Sequence, residues 1–233
     1  MMTAKEPWLR FRSLRWGSAR PLSVGWWAVV GWDYEHASGV VLPRGSLLRY
    51  REWYAQKAIG TNEGLKLTAE QIAEGIRKRE AGETIRYGVA NQEIFKASGG
   101  PSIAERLGRL GLWFLPADDT QAAKMGHFSG WDALRARLVG RDGTPTIFCF
   151  QNCADSVRTI PALQHDRDNP EEIDDESEIG AAHDWRYACM SRPQSDLAPV
   201  EAPKPKVITV GGLTTVTIDD LWKAHDAKRT TRL

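Results

Sequence analysis

Apolar and polar residues alternate along the first part of the chain and then change period. Loose alternation from Trp8 to Trp16, ending at Gly17, predicts a strand. The apolar run from Leu22 to Val30, entered through Pro21, predicts a second, buried strand. Gly31 to Gly45 is rich in Gly, Asp, His and Pro and reads as a loop. Ser46 to Ala55 predicts a third strand, with Leu48, Tyr50, Glu52 and Tyr54 on one face. Short connections between three strands predict an antiparallel meander.

A helical period follows. Thr68 and Gln71 form a capping-box pair, and Ala69, Ile72, Ala73 and Ile76 make an apolar stripe behind it. Ile85 to Ala90 predicts a strand, Pro101 to Leu110 a helix, and Leu112 to Pro116 another strand. Ser129 is placed to cap a helix through Val139, and Thr146 to Phe150 is a further strand. Cys153 to Gln164 reads as helical, bent or ended by Pro161. Asp166 to Glu178 is mostly acidic and predicts a solvated loop or lid. Ala181 to Met190 is helical, and a proline-rich stretch follows Pro193. These shifts predict a domain over residues 1–193 and a linker with a C-terminal tail over 194–233. In the tail, Val207 to Ile218 has β-branched residues around Gly211 and Gly212, and Asp219 to Lys228 reads as a short helix.

At 233 residues the chain is long enough for one sizeable α/β domain with extensions. The formal net charge of +1 does not by itself mark a nucleic-acid binder. The distribution says more: Arg10, Arg12, Arg15 and Arg20 form one basic group, and Arg135, Arg137 and Arg141 another. Three cysteines with no Cys-x-x-Cys pair argue against zinc and suit a reducing cytoplasm. No apolar run reaches the length of a membrane span, and no signal peptide opens the sequence. Ten tryptophans read mainly as bulky core, although stacking on nucleic acid is another use for such rings.

Five segments in order resemble the C-terminal nuclease domain of phage terminase large subunits. They are Arg15-Trp16-Gly17-Ser18-Ala19-Arg20-Pro21 with Val24-Gly25-Trp26, Tyr50-Arg51-Glu52-Trp53-Tyr54, Gly100-Pro101-Ser102-Ile103-Ala104-Glu105-Arg106, Arg158-Thr159-Ile160-Pro161-Ala162-Leu163-Gln164-His165-Asp166, and Trp185-Arg186-Tyr187-Ala188. The resemblance runs from Phe11 to Pro193. It implies an α/β fold with a ribonuclease H-like mixed sheet: three antiparallel strands, then alternating helices and strands. Terminase large subunits also carry an ATPase domain with a Gly-x-x-x-x-Gly-Lys-Ser/Thr loop, and this sequence has none.

The resemblance implies a nuclease that holds two magnesium or manganese ions between carboxylates, clamping the attacking water and the leaving oxygen of a phosphodiester. The positions matching those acids here are Arg15, Asn91, Ile179 and His183. Asn91 keeps one neutral oxygen, His183 offers a nitrogen and Ile179 offers nothing. Arg15 has no acceptor at all. At an effective dielectric of about 20, its charge roughly 4 Å from a divalent ion costs on the order of 8 kcal/mol. Asp184 and Glu178, each one residue from an expected place, are fallback ligands if the late helix slips in register. Glu52 reads as an ion-pair partner of an arginine before a metal neighbour, and Asp118 and Asp119, at a strand end, as turn formers before ligands.

The expectation is therefore a terminase-type nuclease module associated with phage DNA packaging, without effective metal-dependent cleavage and without a bound cofactor. Two alternatives stand beside it: an active two-metal endonuclease using shifted acids, and a structural module on a nuclease scaffold. The expected partners are DNA, bound weakly and without sequence preference through Arg10, Arg12, Arg20, Arg135, Arg137 and Arg141, and portal or other terminase subunits. The expected location is the cytoplasm of a host carrying the phage or prophage, with no membrane contact.

Overall fold

The computed structural model describes residues 8–97, 99–119, 129–140, 142–167, 173–174 and 177–193, together with the backbone of 208–210 and 213–215. The chain divides into two compact units, 1–195 and 196–233.

The larger unit is built on a six-stranded sheet. Its strands are β1 (Arg10–Arg15), β2 (Leu22–Val29), β5 (Leu47–Ala55), β6 (Gly88–Ala90), β7 (Leu115–Pro116) and β8 (Ile147–Cys149), in the order β7-β6-β1-β2-β5-β8. The first three pair antiparallel; β6 joins β1, β7 joins β6 and β8 joins β5, all in parallel. This is the ribonuclease H-like mixed α/β sheet that the resemblance implies. The Gly31–Gly45 loop contains a small hairpin of β3 (Tyr34–Glu35) and β4 (Val41–Leu42), which residue pattern alone does not announce. The expected strand Leu112 to Pro116 is ordered as a strand only over its last two residues.

Helices cover both faces. On one side α1 (Ala69–Glu80) and α2 (Ile103–Arg109) pack over Leu14, Leu22, Val24 and Trp26 through Ile72, Ile76 and Leu107. Both begin with complete capping boxes: Thr68 with Gln71, where the sequence signal and the backbone agree, and Ser102 with Glu105. On the other side α3 (Gly130–Val139), capped by Ser129 and Asp132, and α5 (Gly180–Ser191) pack against Phe11, Trp27 and Leu47 through Trp131, Leu134, Ala182 and Trp185. The expected helix from Cys153 to Gln164 is shorter: α4 (Ala154–Thr159) ends as a 3-10 turn over Ile160–Ala162, because Pro161 cannot continue an α-helix. Five of the tryptophans (Trp8, Trp26, Trp27, Trp131 and Trp185) are buried, whereas Trp32 and Trp113 are exposed.

One irregularity corrects the expected face of β5. Trp26 pairs with Arg51 but Trp27 pairs with Arg49, so Tyr50 is an extra residue in a β-bulge. A bulge inverts the alternation beyond it. Leu48 packs with Trp8 and Val30, while Glu52 is carried round to the face of Arg49, to which it pairs at 3.3 Å. Arg49 is fully buried between the rings of Trp27 (5.1 Å) and Trp185 (6.0 Å) and pairs with Asp184 of α5 at 2.8 Å. Gly25 makes room for it, since a Cβ there would overlap the Arg49 guanidinium.

In the smaller unit Ile208–Val210 (β9) and Leu213–Thr215 (β10) form an antiparallel hairpin. The helix expected over Asp219 to Lys228 lies outside the described residues.

Gly25→Ala should lower stability by about 1–3 kcal/mol, the usual cost of overpacking a filled core. Chemical denaturation of both proteins checks this; equal midpoints would show that Arg49 can move aside without loss.

Candidate functional site

β1 and β6 run parallel, so their C-terminal ends lie side by side. The backbone N–H of Asn91 donates to the carbonyl of Leu14 at 3.2 Å. β7 continues this arrangement and leads to Asp119. The first turn of α5 brings Ile179 and His183. Together these ends line a cleft of about 250 Å³, bounded by Arg15, Arg20, Asn91, Glu93, Asp119, Ile179, His183 and Tyr187. The four positions singled out from the resemblance, Arg15, Asn91, Ile179 and His183, therefore share one cleft although they span most of the chain.

Each polar member is held by neighbours in a way that bears on metal binding. Asn91 clamps the backbone of Trp16: its side-chain oxygen accepts from the Trp16 N–H at 2.9 Å, and its amide donates to the Trp16 carbonyl at 3.4 Å and to Glu93 at 3.2 Å. An aspartate could make only the first of these bonds. Its one potential metal-ligating oxygen is thus already engaged.

His183 is buried, tilted against Trp131 at 5.3 Å and stacked near Tyr187 at 6.2 Å. Its Nδ1 lies 3.1 Å from Nη2 of Arg186, which can only donate. Nδ1 is therefore an acceptor, and the single ring proton sits on Nε2. Burial, then the charges of Arg186, Arg15 and Arg20, push the imidazole pKa well below its ordinary value, so the ring is neutral. A metal needs a bare nitrogen, and neither nitrogen of His183 is free to be one.

The fallback acids are elsewhere, which corrects the register-slip expectation. Asp184 is fully buried on the sheet-facing side of α5, accepting from Ser13 and, at 2.9 Å, from Ser23, and pairing with Arg49. Glu178 is bound at both oxygens by Arg158, at 2.6 and 2.7 Å. Glu52 accepts from the backbone N–H of Asp155 at 2.8 Å and from Ser156, so it is structural. Asp119, expected as a turn former before a ligand, faces the cleft and pairs with the buried Arg186. Among the described residues no group of three His, Cys, Asp or Glu side chains is placed to hold a metal ion. The donor set does not fit a pair of hard cations.

The basic positions also separate. Arg12 is buried against Glu80 at 2.9 Å, and Arg137 is buried with its guanidinium on the carbonyls of Thr146, Gly45 and Arg192. Neither is available to a DNA strand, because both are spent on internal partners. Arg10 is paired with Glu83 at 3.2 Å, Arg135 is exposed, and Arg20 lines the cleft. Arg141 lies outside the described residues. Glu93 and Tyr187 entered the cleft without a sequence signal beyond standing two residues after Asn91 and four after His183.

No protein-family model matches the sequence, and no curated protein does. Solved structures do match. The large terminase of the thermophilic bacteriophage D6E in complex with ADP superposes with a TM-score of 0.56 at 12% identity, over 79% of this chain and 40% of that one. The P22 large terminase nuclease domain superposes with a TM-score of 0.53 at 14% identity, over 82% and 84% of the two chains. The fold is that of the terminase nuclease domain. The chain spans about 40% of the length of the D6E terminase. In this chain the C-terminal ends of β1, β6 and β7 lie beside α5, which is where the cleft lies.

Among the described residues no helix is long and apolar enough to cross a membrane.

Two outcomes follow from the placement of α5. Asp184→Ala strips Arg49 of a buried partner and should cost about 3–5 kcal/mol of stability; a variant as stable as the parent would show that Asp184 is not tied to Arg49. His183 contributes a pH dependence. Its folded pKa is depressed, so the unfolded chain takes up a proton first. Stability is full above about pH 6.5 and falls as the pH drops below it. Thermal unfolding followed from about pH 8 to pH 5 should show this decline, and His183→Asn should flatten it.

Proposed function

We propose that the chain is a large-terminase-type nuclease module, associated with phage DNA packaging, that does not carry out two-metal DNA cleavage. The observation that carries this reading is the cleft itself: Arg15, Asn91, Ile179 and His183, the positions that the resemblance matches to the family's acids, line one site. Arg15 adds a fixed positive charge where cations would have to sit, Asn91 is engaged with Trp16, and His183 has its lone pair committed to Arg186.

The burial of Asp184 argues against an active enzyme that recruits it in place of a lost acid. What remains for such a module is contact: with DNA, weakly and without sequence preference, and with portal or other terminase subunits, in the cytoplasm of a host carrying the phage or prophage. The tail, 194–233, is the segment proposed for portal contact.

The test is nicking of supercoiled plasmid in magnesium or manganese. The unmodified protein should leave the plasmid intact. Arg15→Asp, Asn91→Asp, Ile179→Asp and His183→Asp combined should create manganese binding, measured by calorimetry. Chelator-sensitive cleavage by the unmodified chain would overturn the reading.

A further inference from the structure

The cleft that is unsuited to cations has the attributes of an anion site. Two guanidinium groups, Arg15 and Arg20, line it, and a third, Arg186, stands behind His183. Arg15 makes one long hydrogen bond, 3.5 Å to the Pro21 carbonyl, and no ion pair with a carboxylate among the described residues. Gly17 leaves its guanidinium room, since a Cβ there would stand 2.6 Å from Arg15 Nη1. Arg20 donates to the Ser177 carbonyl at 3.4 Å while lining the same space.

The two acids in the cleft do not cancel this charge. Asp119 is paired with Arg186, and Glu93 accepts from the Asn91 amide. Among the described residues Asp119 is set against Arg186, and Arg15 has no carboxylate of its own. The neutral members add donors rather than acceptors. His183 keeps its proton on Nε2, because Nδ1 is taken by Arg186. Tyr187 keeps its hydroxyl proton, with burial pushing its pKa up to about 12. At about 250 Å³ the space is smaller than usual cofactor pockets, roughly 300–1,000 Å³, and suits one phosphate with part of its sugar. Forked guanidinium donors match the geometry of phosphate oxygens.

We propose that this cleft is a metal-independent seat for a backbone phosphate of a DNA strand, held by Arg15 and Arg20 with His183 Nε2–H and the Tyr187 hydroxyl as further donors. The identity of the strand as DNA rests on the terminase-type reading above. Fixed charge takes the place that bound cations would have in a carboxylate site, so the backbone is gripped where it is no longer cut.

The experiment is fluorescence anisotropy of a short single-stranded oligonucleotide with the full chain, in EDTA and in magnesium, across a salt series. Binding should persist in EDTA. Arg15→Gln and Arg20→Gln should each weaken it by about tenfold and each reduce the slope of log K against log salt by about 0.7. Arg135→Gln, remote from the cleft, should have a smaller effect on affinity. In the unmodified protein the Nε2 resonance of His183 should shift on titration with the oligonucleotide. An unchanged affinity in the double variant, an unmoved His183 resonance, or binding that vanishes in EDTA would each overturn the proposal. The first two outcomes would leave the proposed function standing, provided the plasmid stays intact; cleavage of the plasmid by the unmodified chain would strike at that function instead.

Discussion

The buried pairing of Arg49 with Asp184 and Glu52 sets the rotation of α5, and the cleft depends on that rotation. A charge on Arg49 in the interior is tolerable only with carboxylates against it and aromatic faces around it, and Trp27 and Trp185 supply the faces. Asp184 must therefore point at the sheet, where Ser13 and Ser23 also bond it. With Asp184 turned inward, its neighbour His183 is turned outward, and Ile179, one turn earlier, goes with it. Turning α5 so that Asp184 faced the cleft would strand Arg49 without its partner.

The substitutions at the cleft are mutually consistent rather than isolated. Asn91 does what an aspartate could not, donating to Trp16 and Glu93 while accepting from Trp16. His183 occupies a space among Trp131, Tyr187 and Arg186 that favours a neutral ring. Arg186 serves two neighbours at once, pairing with Asp119 and fixing the tautomer of His183. The result is a site in which the polar groups are organised to donate.

Much of this architecture was legible in the residue pattern. Thr68 and Ser129 marked helix starts because caps are local: one side chain and one backbone N–H three residues on decide them. The convergence of Arg15, Asn91, Ile179 and His183 came only through the resemblance, since no local rule joins residues so far apart. What escaped were effects of tertiary context. The bulge at Tyr50 leaves no mark on composition, yet it moves Glu52 to the other face of β5. Arg12 and Arg137 look like surface charge in sequence, and only the fold shows Glu80 beneath the first and three carbonyls around the second. Asp119 follows a strand of two residues, too short for periodicity to reveal where its end points.

The bulge has a further meaning for how this chain can vary. Arg49 and Glu52 share a face only because an odd residue stands between the two halves of β5. Ironing the bulge out at the present length would restore regular pleating and, in doing so, put one end of the ion pair on the wrong side of the sheet. Deleting Tyr50 would leave Arg49 and Glu52 two residues apart, still on one face of a regular strand, so the three-residue spacing and the bulge stand or fall together. What the seat of α5 depends on is therefore a match between the parity of that spacing and the presence of the bulge.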